Sequence, residues 1–326
     1  MTVSLVDGTP LAVQHDTWIV VVNWNGAHLL PACLASLSRL STPAKVVVVD
    51  NGSKDASEKT VAAFPGVDFL PQGANLGFAA ASNVGMRRAL EAGARFVGLV
   101  NPDVVLEPDW LRHLLAAAEA HPEAGILGGL LLFADDPARV NSTGLVLDAL
   151  GRAFDRDFGR PLSELDTPDG PVAGATGGAL LYRAEVLRRV GLFDPAYFAY
   201  YEDVDLSLRA AAQGFRAHYV SAARGLHGYG KSFGAGSPAQ RFLLARNHMR
   251  AMATHLPVWK VLLFAPVLTL LRALVKAPLE LARGRPAHAQ AHLRAALAGG
   301  VAALQALSRR LASRPFPPGA EPVPGR

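Results

Sequence analysis

The chain has 326 residues, of which 50% are hydrophobic and 18% are charged, so its composition excludes an intrinsically disordered protein. Cys33 is its only cysteine, which excludes an intramolecular disulfide and suits a reducing compartment. Residues 1–17 lack both the basic start and the apolar core of a signal peptide. We therefore expect a cytoplasmic protein with a short N-terminal extension at residues 1–16.

The net charge of +5 hides an asymmetry along the chain. Residues 1–240 hold 19 Lys and Arg against 25 Asp and Glu, a balance of −6, whereas residues 241–326 hold 13 against 2, a balance of +11. A basic end rich in Leu and Ala indicates an anionic partner, and its long apolar runs favour a membrane surface over a nucleic acid. We expect a peripheral position at the inner face of the cell membrane and no nucleic-acid partner.

The first part of the chain alternates between apolar runs and helical periodicity. Apolar runs at residues 18–23, 45–49, 67–70 and 96–100 are typical of buried strands. Helical segments follow them and end near residues 40, 64, 92 and 120. Four such alternations predict an α/β fold, with a mostly parallel sheet and helices on both faces.

Polar residues follow three of these strands. Asn23 and Asp50 each close an apolar run, and Asn101-Pro102-Asp103 follows the run at 96–100. Because ligands of open α/β sheets bind outside the carboxyl ends of the strands, we expect these residues to converge on one crevice. The carboxylate of Asp103 suits a divalent cation that also holds phosphate oxygens. The alternative for this segment is an Asx turn before the next helix.

From residue 126 the pattern changes to strands and turns, with later strands at 179–182 and 217–220 and helices at 185–190 and 240–255. Glu202 and Asp203 follow an aromatic run and precede a helix that ends near residue 213. A carboxylate at this point offers a general base for proton abstraction. The alternatives are a helix cap for Asp203 and, for Asp205, an ordinary surface ion pair with Arg209 one turn on.

The sequence matches neither of two glycine-rich nucleotide-binding motifs well, the dinucleotide-binding fingerprint and the P-loop. The first strand is followed by a turn with one glycine, Gly26, so a dinucleotide-binding fingerprint is absent. Residues 225–232 match the P-loop pattern, but residues 233–238 are poor helix formers, whereas a P-loop opens a helix. A P-loop protein that binds ATP through Lys231 stays open as an alternative.

Residues 256–312 are predicted to form helices at a membrane surface. Residues 261–271 carry no charge, but eleven residues are fewer than the roughly 20 that a spanning helix needs. We expect a helix that lies in or dips into the interface, with a buried packing helix as the alternative, and the Ala- and Leu-rich residues 287–311 beside it. Residues 313–326 contain five prolines and are predicted to be disordered.

Five motifs occur in a characteristic order. They are Val21-Val22-Asn23-Trp24-Asn25-Gly26, Val49-Asp50-Asn51-Gly52-Ser53-x-Asp55, Asn75-Leu76-Gly77-Phe78, Asn101-Pro102-Asp103 and Tyr201-Glu202-Asp203-Val204-Asp205-Leu206. Together, over about residues 17–255, they resemble family 2 glycosyltransferases of the rhamnosyltransferase type. The resemblance implies the GT-A fold, with a nucleotide-binding half at 17–121 and an acceptor and catalytic half at 122–255. It also implies an inverting transfer from a nucleotide sugar and a divalent metal, Mg²⁺ or Mn²⁺.

The resemblance implies roles for single residues. The residues at its nucleotide- and donor-binding positions are Asn23, Asp50, Asn75, Gly77 and Asn101. The residues at its donor and acceptor pocket are Thr176, Gly177, Gly178 and Glu202. Asp203 matches the general base, Asp103 the metal ligand, and His227 a histidine that completes metal binding. The metal motif is Asn-x-Asp rather than Asp-x-Asp, which removes one negative ligand.

These roles predict a single displacement in which Asp203 takes the proton of the acceptor hydroxyl as its oxygen attacks the anomeric carbon. The metal on Asp103 would offset the charge that grows on the leaving diphosphate. The favoured donor is deoxythymidine-diphospho-rhamnose, with uridine-diphospho sugars next. A basic and apolar C-terminus suits a lipid-linked saccharide acceptor in cell-surface polysaccharide synthesis. A non-catalytic module that binds sugar nucleotides or glycans is the alternative.

Overall fold

The computed structural model describes residues 16–230, 234 and 236–312, together with the backbone of residues 5–6 and 9–10. The tail that is predicted to be disordered, residues 313–326, lies outside the described residues, as do most of the N-terminal extension and Lys231.

The strands are β1 (Leu5–Val6), β2 (Thr9–Pro10), β3 (Thr17–Asn23), β4 (Lys45–Asp50), β5 (Asp68–Pro71), β6 (Phe96–Val100), β7 (Val104–Leu106), β8 (Ala124–Phe133), β9 (Val140–Ser142), β10 (Leu145–Leu147), β11 (Ala153–Asp155), β12 (Gly170–Val172), β13 (Ala179–Arg183) and β14 (Arg216–His227). The α-helices are α1 (Leu30–Ser38), α2 (Ser57–Ala62), α3 (Phe78–Glu91), α4 (Trp110–Ala120), α5 (Ala184–Val190), α6 (Glu202–Ala212), α7 (Pro238–His255), α8 (Val258–Leu270), α9 (Ala277–Ala282) and α10 (Pro286–Leu311). Two 3-10 helices cover Leu162–Glu164 and Pro195–Tyr197, and a π-helical turn, Leu271–Lys276, joins α8 to α9.

The main sheet has the strand order β12-β14-β8-β13-β6-β3-β4-β5, with β7 paired to β14 and β9 to β8. Strands β6, β3, β4 and β5 are parallel neighbours, and β13 lies antiparallel between β6 and β8. In this register Asn23 pairs with Asp50 at the carboxyl ends of β3 and β4. The predicted α/β fold with a mostly parallel sheet is confirmed.

Two cores cover the two faces of the sheet, which explains why its parallel strands are apolar without interruption. Val20 of β3 packs into a core with α3, α5 and α6. Val21, the next residue, points to the opposite face and packs into a core with α1 and α4 that also contains Cys33. The helices therefore fix the sheet from both sides and leave its carboxyl edge free for a site.

Strand β14 is longer than the sequence predicts, because it continues past residue 220 to His227. Gly225 pairs with Leu106 of β7, and a Cβ at Gly225 would lie 2.9 Å from that leucine side chain. The first three residues of the P-loop pattern are thus strand residues, and the next described helix, α7, does not begin until Pro238. The described part of this pattern lacks the strand–loop–helix order of a P-loop.

The C-terminal helices form a layer beside the sheet domain. Met249 and Met252 of α7 share a small core with Val261 of α8 and with Ala303 and Ala306 of α10. The prediction that residues 287–311 form a helix beside the apolar segment is therefore confirmed, and α10 also packs along α7.

The apolar segment is longer than predicted. Its α8, π-helical and α9 parts make one helix of 25 residues, Val258–Ala282, which is long and apolar enough to cross a membrane. The prediction that this segment is shorter than a membrane span was wrong, because the helix continues through Pro266 and includes Arg272 and Lys276. Only 11% of its most apolar window is buried, which does not fit the alternative of a buried packing helix.

Candidate active site

A cavity of about 580 Å³ lies where the carboxyl ends of β3, β4 and β6 meet the start of β13 and the end of β14. The loops that follow β3, β4 and β6 all reach this cavity, through Asn25, Asn51 and Asn101, so the expected convergence is confirmed for the loops. The sequence-predicted residues at its wall are Asn75, Asn101, Asp103, Thr176, Gly177, Gly178, Glu202, Asp203 and His227. Asn23, Asp50 and Gly77 are not at this wall.

Asn23 and Asp50 form a buried hydrogen-bond network behind the cavity. The side-chain amide of Asn23 donates to Oδ1 of Asp50 at 2.9 Å and to the hydroxyls of Ser53 and Ser57 at 3.1 and 2.8 Å. The other carboxylate oxygen of Asp50 accepts the backbone N–H of Ser53 at 3.0 Å. This network fixes the loop at residues 51–56, and direct nucleotide binding by Asn23 or Asp50 stays a prediction.

A second amide network shapes the loop before α3. Oδ1 of Asn75 accepts hydrogen bonds from the side chain of Asn51 at 3.0 Å and from the backbone N–H of Gly77 at 2.9 Å. Gly77 has a φ of +85°, and a Cβ there would lie 2.5 Å from the ring of Phe198. Glycine is needed for this loop to pass so close to the second half of the domain. Asn75 and Gly77 were both predicted to bind the donor, and of these two residues Asn75 lines the cavity.

Residues 101–103 form a turn and also line the cavity. The backbone N–H of Val104 donates to the carbonyl oxygen of Asn101 at 3.0 Å, so a backbone turn does follow β6. Asn101 is fixed further by its own N–H, which donates to the carbonyl of Gly178 at 2.9 Å. This backbone turn is compatible with ligand binding, because Asn101 and Asp103 still line the cavity, and an Asx turn made by the Asn101 side chain stays a prediction.

Asp103 and His227 form a pair that fits a divalent cation. Oδ1 of Asp103 is buried, lies 3.5 Å from Nε2 of His227, and has no hydrogen-bond partner among the described residues. Nδ1 of His227 lies 2.8 Å from Oδ1 of the buried Asn141, which orients the ring so that Nε2 faces Asp103. Among the residues that the structure describes, His, Cys, Asp and Glu form no group of three that would hold a metal. Two protein ligands together with substrate phosphates are usual for Mg²⁺.

Two neighbouring carboxylates stand at the start of α6. Oδ2 of Asp203 accepts the backbone N–H of Gly177 and Oδ1 that of Val204, both at 2.8 Å. Burial raises the pKa of Asp203, and these two N–H groups oppose the increase. Glu202 is 5% exposed, and its Oε2 has no hydrogen-bond partner in the described part of the chain. Burial, followed by the charge of Asp203, raises the pKa of Glu202 well above its usual range.

These environments divide the roles of the two carboxylates. Burial and the neighbouring charge of Asp203 outweigh the one backbone N–H that favours a charged Glu202, so Glu202 keeps its proton more strongly than Asp203. Asp203 is therefore the better candidate for a proton acceptor of the two. The capping alternative for Asp203 was wrong, because the N-cap of α6 is Tyr201 and no side chain caps it.

The segment before α6, residues 197–201, is here called the aromatic loop. Its left-handed residues are Phe198, Tyr200 and Tyr201, with φ of +65°, +68° and +75°. Each costs roughly 1–2 kcal/mol for a residue with a Cβ. The side-chain amide of Asn247, a buried residue of α7, donates to three carbonyl oxygens of the loop at 2.7–2.8 Å. The α7 helix therefore holds the strained loop that delivers Glu202 and Asp203.

Asp205 takes part in a buried ion pair, so the prediction of a surface pair was wrong. Asp205 and Arg209 are only 1% and 6% exposed, and their charged groups lie 2.9 Å apart. His255 of α7 lies 2.8 Å from the same carboxylate. Burial alone would raise the pKa of Asp205, but the charges of Arg209 and His255 lower it to about 2. Asp205 joins α6 to α7 and does not line the cavity.

Sequence reasoning missed a fourth cavity carboxylate, Asp155. It ends β11, and its Oδ1 is buried without a hydrogen-bond partner among the described residues. Burial, opposed by the hydroxyl of Ser142 and assisted by the charge of Asp203, raises the pKa of Asp155 to about 6. A three-residue strand between irregular segments offers no periodicity or motif that could have pointed to it.

The fold is the GT-A fold of glycosyltransferases. The mannosyltransferase PcManGT from Pyrobaculum calidifontis, solved with GDP-Man and Mn²⁺, matches with a TM-score of 0.54 and 18% identity over 90% of this chain and 87% of that chain. GalNAc-T7, solved with UDP, GalNAc and Mn²⁺, matches with a TM-score of 0.60 and 14% identity over 93% of this chain and 59% of that chain. At these identities the likeness establishes the fold.

The chain belongs to glycosyl transferase family 2, whose sequence profile matches residues 18–191. It is 33% identical over 250 residues to the N-acetylglucosaminyl-diphospho-decaprenol L-rhamnosyltransferase of Mycobacterium tuberculosis, across 71% of this chain and 80% of that protein. It is 25% identical over 220 residues to rhamnosyltransferase WbbL of Escherichia coli K12, across 64% and 82% of the two chains. The resemblance to rhamnosyltransferase-type members of the family is confirmed.

Proposed function

We propose that this glycosyltransferase moves a sugar, with rhamnose favoured, from a deoxythymidine-diphospho donor to a hydroxyl of a saccharide joined to a lipid through diphosphate. The observation that carries the proposal is the carboxylate of Asp203 at the cavity wall. Oδ2 accepts the N–H of Gly177, and the donor side of the same cavity holds Asp103 and His227. The names of the M. tuberculosis and E. coli relatives support the sugar, and the former supports the acceptor class.

Asp203 acts as the general base in this reaction. It takes the proton of the acceptor hydroxyl while that oxygen forms a bond to the anomeric carbon and the bond from this carbon to the diphosphate breaks. A single displacement of this kind inverts the anomeric configuration. The N–H groups of Gly177 and Val204 keep the carboxylate oriented toward the cavity. A positioned base contributes about 10² to 10⁴ in rate.

Asp103 and His227 would hold a divalent cation, Mg²⁺ or Mn²⁺, together with the donor diphosphate. Such a cation supplies positive charge to a diphosphate as it leaves. Asn141 holds the His227 ring through Nδ1. A Cβ at Gly178 would lie 3.1 Å from that ring, so a larger residue at this position would crowd the His227 side chain.

The C-terminal helices bind the protein to the inner membrane surface in this proposal. Large apolar side chains are exposed on α8 and α10, including Leu262 at 64%, Leu297 at 76% and Leu304 at 69%. On α10 the exposed residues Leu293, Leu297, Val301 and Leu304 recur at helical spacing and form one stripe. Such stripes next to a basic segment fit the interface of an anionic membrane. Flotation with phosphatidylglycerol vesicles tests this, and an intact chain that stays in solution without detergent contradicts it.

The decisive experiment combines donor binding with product analysis. Calorimetric titration with several nucleotide sugars and ATP, with and without Mn²⁺, should reveal one donor whose binding depends on metal and is lost in Asp103→Ala. Transfer should fall by at least about 10²-fold in Asp203→Asn while donor binding is kept. Proton NMR of the product should show the anomeric configuration inverted.

Asp166→Asn is the matched control, because this carboxylate side chain is 85% exposed and does not line the cavity. It should leave donor binding and transfer at the level of the unmodified protein. Binding of ATP alone, or turnover near the unmodified level in Asp203→Asn, would overturn the proposal.

A further inference from the structure

A group of basic side chains, here called the basic cluster, lies between the cavity and the apolar helices. Its members are Arg152, Arg241, Arg272, Lys276 and His292, whose charges act on one another. They come from four separate elements: the turn between β10 and β11, α7, the π-helical turn, and α10. The fold therefore gathers positive charge from distant parts of the chain at one place.

Two buried nitrogen atoms of the basic cluster have no hydrogen-bond partner within the described residues. Arg272 is 7% exposed and its Nη1 is unpartnered, and His292 is 8% exposed with an unpartnered Nδ1. Leaving a buried guanidinium without a counterion costs several kcal/mol. An unsatisfied buried group of this kind calls for an explanation, and an absent anionic ligand supplies one.

The neighbouring carboxylates do not neutralise the positive charge of the basic cluster. Asp148 lies 3.5 Å from Arg152, which accounts for one cation. Glu280 is engaged by two arginines outside the cluster, at 3.3 and 3.8 Å. The other members of the basic cluster form no ion pair with any residue that the structure describes. Burial, followed by the charges of Lys276 and Arg241, lowers the pKa of His292, and Glu280 opposes this decrease.

The basic cluster borders both the catalytic cavity and the apolar surface. The guanidinium of Arg152 lies 5.5 Å from the ring centre of Phe154, which lines the cavity. Arg272 acts on the hydroxyl of Tyr201, the cavity residue that immediately precedes Glu202. Leu274, on the same π-helical turn, is 69% exposed. The basic cluster therefore lies between the cavity on one side and the exposed apolar side chains of the C-terminal helices on the other.

We infer that the basic cluster binds the diphosphate of a lipid-linked acceptor, with the acceptor sugar in the cavity and the lipid along the exposed face of α8. The identity of this acceptor class rests on the proposed function. Arginine forks match phosphate oxygens in pairs, and a lysine adds a point charge. A π-helical turn is rare and occurs often at functional sites, and here it carries Arg272 and Lys276. A phospholipid headgroup offers similar oxygens but carries no sugar for the cavity.

The first test compares two acceptors with the full chain in detergent. One is N-acetylglucosamine joined through diphosphate to a farnesyl tail, and the other is an octyl glycoside of the same sugar without phosphate. Arg272→Gln should raise the KM for the diphosphate acceptor about tenfold or more, and leave the KM for the glycoside and for the donor unchanged. Lys276→Gln, at an exposed position, should act in the same direction. Arg309→Gln removes one charge from the same basic segment at an exposed site and should change nothing.

The second test needs no transfer, so it separates failure of this inference from failure of the proposed function. Farnesyl diphosphate should bind the full chain in EDTA, bind equally well to Asp103→Ala, and bind about tenfold more weakly to Arg272→Gln. Loss of binding in Asp103→Ala alone would assign the diphosphate to the donor site and overturn the inference. So would Arg272→Gln weakening flotation with phosphatidylglycerol vesicles while the acceptor KM stays constant, because the ligand would then be a phospholipid.

Discussion

Replacing Asn247 by alanine should release the strained aromatic loop. The side-chain amide of Asn247 donates to three carbonyl oxygens of residues 197–201, and this residue is 0% exposed. Each lost hydrogen bond costs about 1 kcal/mol, and buried carbonyls left without a partner cost more. We expect the free energy of unfolding to fall by about 2–4 kcal/mol. The three left-handed residues then relax toward ordinary backbone angles, which moves Asp203.

The assay for this variant separates stability from catalysis. Urea denaturation gives the change in the free energy of unfolding, and initial rates give kcat and the KM for the donor. Asn247→Ala should lower kcat about 10- to 100-fold and leave the donor KM within about twofold, because Asp103 and His227, which are proposed to hold the donor diphosphate, lie outside the aromatic loop. Thr254→Ala is the control on the same helix, since its hydroxyl bonds only to the carbonyl of Arg250 within α7. A destabilised Asn247→Ala with unchanged kcat would refute the reasoning.

Three further changes test other parts of the site. A Cβ at Gly177 would lie 3.3 Å from Oδ2 of Asp203, so Gly177→Ala should push the carboxylate aside and lower kcat severalfold with little change in melting temperature. Asp205→Asn should lower the free energy of unfolding by about 3–5 kcal/mol in urea, because it leaves Arg209 buried without its counterion. The stability that Asp205 provides is present above its unfolded pKa and is lost as the pH falls toward about 2. The contribution of Asp155 to stability changes with pH in the opposite direction. Its pKa in the folded state is raised to about 6, so folding favours its protonated form. Relative to Asp155→Asn, the unmodified apoprotein should lose up to about 3 kcal/mol of stability between pH 4 and 7, and equal pH profiles in urea would contradict this.

The strands and the ligand motifs were predictable because their signals are local. An uninterrupted apolar run such as residues 45–49 has to be buried on both faces, and a polar residue at its end has to lie at the edge of the sheet. The same reasoning placed Asn101 and Asp103 at the cavity wall, where the structure has them. It could not show that Asn23 and Asp50 bond to each other behind that wall, since this depends on the register of two strands.

Features that depend on distant contacts were not predictable. Asp155 lies on a short strand without a pattern, and the role of Asn247 depends on a loop almost fifty residues earlier in the chain. Charges at Arg272 and Lys276 indicated the end of an apolar segment, but the helix continues because Arg272 is buried against the protein rather than exposed. The burial of the Asp205–Arg209 pair likewise depends on α7, which the local spacing does not reveal.

The position of α7 sets a limit on how this enzyme can be divided. One side of the helix bonds to the aromatic loop that precedes Glu202 and Asp203, while Met249 and Met252 on its other side are covered by α8 and α10. A shortened chain that ends at His255 would expose both methionines to water and loosen the helix that holds the loop. Removing the apolar helices to obtain a shorter enzyme should therefore cost activity as well as the proposed membrane attachment. The proposed anchor and the candidate active site share one helix, α7, so neither is a detachable module.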